Sequence, residues 1–120
     1  MGDRVFLLIG LAFLLTHEMD AIRAHEWRIF PLTAWLDDTA GYRVVVLAHV
    51  PLYGGLFGLL ARPQGLGGAV AVGLDIFLIA HAALHAIYLR HPKNEFTGWL
   101  AWLLILGGAA AGALDLLFGA

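Results

Sequence analysis

The sequence contains no cysteine. That absence removes disulfides, thiolate metal sites, iron–sulfur clusters and cysteine nucleophiles together. Charge is scarce as well: Asp, Glu, Lys and Arg make up 13% of the 120 residues, against roughly 25% in soluble domains. Seven Lys and Arg against nine Asp and Glu leave no basic surface, so nucleic acid is not an expected partner. Low net charge with high hydrophobicity excludes a disordered chain. GxSxG and phosphate-cradling glycine loops are missing too, and the glycine pairs fall inside apolar stretches. Nucleophilic hydrolases and nucleotide enzymes drop out.

What is present is hydrocarbon. The chain is 61% hydrophobic, with a mean hydropathy of +0.82. A bilayer core of about 30 Å needs about 20 mostly apolar residues per helix. Four stretches meet that requirement, at residues 5–22, 44–61, 67–89 and 98–118. They predict an all-α fold: an integral membrane four-helix bundle with antiparallel up-down spans and short loops, forming one transmembrane domain over residues 1–120. The first stretch opens like a secretory signal behind Arg4. It lacks a small-x-small cleavage site and runs into His17, Glu18 and Asp20, so it is expected to be retained. Gly2 is not followed by the Ser or Thr of a myristoylation signal.

The link over residues 25–42 carries Trp27, Phe30, Pro31 and Trp35 among Arg28 and Asp37, the composition of an interfacial segment. Residues 62–65 and 90–95 read as tight turns. Arg23, Arg28, Arg43, Arg90 and Lys93 border the first and third links, and only Arg4 and Arg62 border the opposite side. That asymmetry marks the richer side as cytoplasmic and places both termini outside the cytoplasm. Gly54 and Gly58, and Gly108 and Gly112, are GxxxG pairs suited to close helix contact, within the chain, in a homo-oligomer or against a larger membrane complex. Pro51 is expected to kink the second span.

Polar side chains within the spans carry the chemistry. At a rise of about 1.5 Å per residue, His17 lies roughly 9 Å below Arg23, His49 roughly 9 Å below Arg43, and His85 and His81 roughly 8 and 14 Å below Arg90. Antiparallel packing brings these four to one layer of the bundle. Asp20, at i+3 from His17, shares its face with an offset of roughly 60°, whereas Glu18 points about 100° away, toward another partner or the next helix. His81 and His85, at i and i+4, suit two ligands from one helix. His17, Asp20, His49, His81 and His85 are therefore the candidate metal ligands, with Glu18 as general base or added ligand. Imidazole and carboxylate without thiolate suit iron or zinc, and the nearby carboxylates favour a bare ion over bis-histidine haem. His25 and Glu26 sit at the mouth of this layer as solvated loop residues able to extend it.

His17-Glu18-Met19-Asp20-Ala21 begins like HExxH but has Ala21 at the second histidine, and His81 to His85 lacks the glutamate, so an intramembrane metalloprotease is not expected. Asp75 and Asp115 lie in the opposite half, where Arg4 can pair with Asp115. The first-helix motif, followed by His25-Glu26-Trp27, resembles a group of small bacterial four-span membrane proteins, with a looser similarity to HXXEE-domain proteins. The resemblance implies a compact membrane bundle with a polar first-helix motif, and no activity. His81 and His85 also look like one histidine box of membrane di-iron hydroxylases and desaturases, whose other boxes this chain lacks.

The expected function is a small membrane metalloprotein, either structural or acting as an oxidoreductase or hydrolase on a lipid-soluble substrate. The alternatives are proton or ion transport through the His/Asp layer, an accessory subunit of a larger membrane complex, or a metal-free polar core holding the helices together.

Overall fold

The computed structural model describes residues 4–119, so Gly2, and the outermost residues of the expected domain, lie outside the described residues. Four helices follow one another: α1 (Val5–Arg23), α2 (Asp38–Leu60), α3 (Gln64–Ile87) and α4 (Trp99–Phe118), with a 3-10 turn, η1 (Glu26–Arg28), between the first two. All four are long and apolar enough to cross a bilayer. No strand occurs among the described residues. The protein is an all-α, membrane-spanning helical bundle.

The four helices are not equal partners. α4 packs extensively on both α1 and α3, whereas α2 rests on α3 and η1. Leu7, Leu14, Leu74 and Leu78 fill one half of the interior; Ala21, Ala24, Ile29, Ala82, Phe96 and Ile105 fill the other. In α2 only Gly41 and Leu60 are buried, so most of its apolar surface faces outward, as lipid allows.

α2 begins at Asp38, earlier than the residue 44 expected from hydropathy. The cause is local: the Asp37 side chain accepts a hydrogen bond from the Ala40 N–H at 2.8 Å and caps the helix. Trp27 Nε1 donates to Asp38 at 3.1 Å, and Arg28 pairs with the same carboxylate, so the link is tied to the first turn of α2. The Trp27 ring lies against Gly41, where a Cβ would collide with the ring. The helix continues through Pro51 without interruption.

The two GxxxG pairs differ in use. A Cβ on Gly112 would stand 2.8 Å from the Asp75 carbonyl oxygen, and one on Gly108 would stand 3.4 Å from Leu78, so this pair forms the α3–α4 crossing. Gly54 and Gly58 have nothing within 4 Å of the same position. Gly112→Val is therefore expected to force α3 and α4 apart and destabilise the bundle by about 1–3 kcal/mol. Gly54→Val should shift the melting temperature in detergent little, and equal shifts would contradict this assignment.

At the end of the bundle bearing the α2–α3 link, Arg4 donates to Asp115 and lies 3.5 Å from Asp75. Both carboxyls are almost completely buried. One cation thus joins the start of α1 and the middle of α3 to the end of α4.

Candidate metal centre

The buried face of α1 runs Leu7, Gly10, Leu14, His17, Ala21, a three- and four-residue spacing that makes one stripe. On α3 the buried stripe runs Ala71, Leu74, Asp75, Leu78, His81, Ala82, His85. His17, His81 and His85 lie in register with these stripes, so the burial of the leucines and alanines turns all three imidazoles inward. They are 1%, 8% and 2% exposed.

The three rings meet edge to face, with centroids 4.7 Å apart for His17 and His81, 5.1 Å for His17 and His85, and 4.5 Å for His81 and His85. The Nε2 atoms of His81 and His85 are 3.1 Å apart. Phe96, from the α3–α4 link, covers His17 and His85, and Phe30, from the α1–α2 link, covers His85 from another side. Hydrocarbon and aromatic surface close the site.

The fourth member is Glu26. Its Oε2 lies 3.6 Å from His17 Nε2. A continuing α1 helix would have put residue 26, nine positions on, roughly 180° from His17. The chain instead leaves α1 after Arg23, and His25 adopts a left-handed conformation, φ 50° and ψ 52°, the only positive φ at a non-glycine residue among those described. That conformation is uncommon for residues other than glycine, histidine being among those that adopt it more readily. It is held by the contact of His25 Nδ1 with Glu95 and by packing against Trp27, and it folds η1 back beneath His17. Burial alone would push the Glu26 carboxyl up, but His17, and then His85 and His81, outweigh it and hold the group below its ordinary value.

One donor atom from each of His17, Glu26, His81 and His85 lies within 4.8 Å of the others. Both ring nitrogens of His17, Nδ1 of His85 and Oε2 of Glu26 are buried without a hydrogen-bond partner. In hydrocarbon such orphaned groups are costly, and a shared cation would engage one nitrogen of His17 and the Glu26 oxygen. Donors about 2.0–2.1 Å from a tetrahedral zinc stand about 3.3 Å apart, so the 3.1 and 3.6 Å spacings already match and the remaining pairs need only close modestly.

The other residues singled out in the sequence stand elsewhere. Asp20 accepts from Arg23 Nε at 2.6 Å and keeps its other oxygen, Oδ2, buried without a partner, outside the four-donor group. His49 Nε2 faces Glu18 Oε2 at 2.8 Å, forming a bridge between α2 and α1 rather than a member of the four-donor group. Glu18 thus reaches the next helix, one of the roles its 100° displacement allowed.

The fold and the site together define a class: a four-helix membrane bundle with a buried three-histidine, one-glutamate cluster able to coordinate a metal. The chain belongs to a family of unknown function, DUF6713, whose profile matches residues 3–120. Neither a curated protein nor a solved structure matches it.

Proposed function

We propose that this protein is a membrane metalloprotein that holds one divalent ion, zinc or ferrous iron, on His17, His81, His85 and Glu26. The observation that carries the reading is the convergence of four donors, three of them with orphaned atoms, inside an apolar shell. Three neutral imidazoles and one carboxylate suit either ion. A closed four-donor shell makes the ion a structural clasp between α1 and α3. With one donor displaced, the ion would polarise a lipid-soluble substrate or a water, iron suiting oxidation and zinc hydrolysis.

Elemental analysis of the detergent-purified protein tests this directly. About one zinc or iron per chain is expected, retained through dialysis and removed by a strong chelator. Protein that stays metal-free after incubation with either ion contradicts the reading, and metal-free protein that conducts protons in liposomes would favour transport instead.

Acidification is expected to release the ion, because protons compete for the imidazoles; affinity should fall about tenfold per pH unit for each proton taken up. Glu26, held below its ordinary value, is ionised throughout the mildly acidic to neutral range. Glu26→Gln should therefore weaken binding at every pH from 5 to 8 without changing the steepness of release, as a competition titration against a chromogenic chelator would show.

A further inference from the structure

A second feature lies beside the metal centre and is not used by it. Between α2 and the α1–α3 pair runs a groove of about 430 Å³, within the range of small-molecule pockets. Leu14, Leu52, Leu56, Val70 and Leu74 make its aliphatic length; Glu18, His49, Tyr53 and Phe77 also line it. An adjoining hollow of about 270 Å³ shares Glu18, His49 and Tyr53, so the Glu18–His49 bridge separates the two spaces and borders both.

From these features we infer that the groove binds a lipid-soluble phenol with an aliphatic tail, its hydroxyl hydrogen-bonded to the Glu18–His49 pair. In a bilayer, hydrocarbon walls do not select a ligand, because any acyl chain fills them equally well. Selection has to come from the polar atoms. His49 Nδ1 stands 2.5 Å from the Val45 carbonyl oxygen, which only accepts, so Nδ1 carries a hydrogen and donates it. Nε2 then meets Glu18 Oε2 at 2.8 Å with one proton shared between a basic nitrogen and a carboxylate.

With both imidazole nitrogens engaged, the other Glu18 oxygen is left as an acceptor to which a hydroxyl can donate, whereas a hydrocarbon or an ester cannot. A phenol donates more strongly than an aliphatic alcohol, and the rings of Tyr53 and Phe77 offer its ring aromatic neighbours. Tyr53 packs on His49 with ring centroids 5.3 Å apart. Phe77 stacks on His81 at 5.4 Å, which sets the groove one ring away from the proposed metal centre. Binding stands on the groove alone. That the phenol is the substrate of the centre rests on the metal reading.

The test uses the full chain in nanodiscs with radiolabelled 4-nonylphenol. Saturable binding of about one molecule per chain is expected, with hexadecane failing to compete and hexadecanol competing at least tenfold more weakly. Glu18→Leu should reduce affinity at least tenfold. Gly73 lines the groove, and a Cβ built there has nothing within 4 Å, so Gly73→Leu should fill the space and block binding without disturbing the fold.

Equal competition by hexadecane or hexadecanol, or unchanged binding in both variants, overturns the inference. Metal content measured on the same samples separates the two ideas. Gly73→Leu protein with its metal intact and its phenol site lost supports the groove, whereas a metal-free protein that still binds phenol refutes only the metal centre.

Discussion

Replacing His85 with alanine is expected to take bound metal from about one ion per chain to near none, with an affinity loss of at least about a hundredfold. The size follows from position. Losing a group that merely orients a ligand already costs about 10–100-fold in metal affinity, and His85 is itself a proposed donor. Its Nε2 is 3.1 Å from that of His81, so no neighbouring side chain takes its place without a shift of α3. His17→Ala and His81→Ala should behave alike.

The informative contrast is with His49→Ala and Asp20→Asn. His49 is engaged with Glu18 and Asp20 with Arg23, so both variants should keep about one ion. Loss of metal on removing His49 but not His85 would place the site between α1 and α2 instead. Circular dichroism of each variant separates ligand loss from unfolding.

Arg4→Ala carries the second large effect, a destabilisation of about 3–5 kcal/mol measured by unfolding in detergent. Asp75 and Asp115 are buried to 0% and 2% exposure, and Arg4 is the cation between them. Without it two carboxyls face each other in hydrocarbon, where an uncompensated charge is far more costly than in water. Removing the charges together should recover much of the loss, so Arg4→Met combined with Asp75→Asn and Asp115→Asn should be more stable than Arg4→Ala. Metal content should change little in any of these variants, because Asp75, on the same helix as His81, stands roughly 9 Å before it along the axis and is outside the donor group. A triple variant no more stable than the single one would contradict the charge argument.

The architecture was legible because four apolar runs of bilayer length leave a chain few alternatives. The start of α2 was not, since hydropathy reports lipid contact and is blind to a cap such as Asp37, which carries the helix beyond its apolar part. His17, His81 and His85 could be grouped from depth and spacing, and their place on the buried stripes explains why that grouping is what the fold shows.

His49 shares their depth but belongs to a helix that is apolar all round and barely buried. No stripe fixed the direction of its imidazole, and the position of α2 against α3 turned it to Glu18. Glu26 was visible only as a loop acid near the mouth. What carries it inward is the left-handed turn at His25, where glycine or asparagine would have advertised the reversal and histidine does not. The groove depends on α2 standing off from α1, a tertiary spacing with no local signature.

X-ray absorption at the zinc edge of the zinc-loaded protein addresses the shared ion most directly. Four nitrogen and oxygen donors at about 2.0–2.1 Å, with the outer-shell scattering of three imidazole rings, is the expected spectrum, and His85→Ala should hold too little zinc to give it. A spectrum of water and carboxylate oxygens with no imidazole scattering, or one unchanged by the His85 substitution, would contradict a centre built from His17, His81, His85 and Glu26.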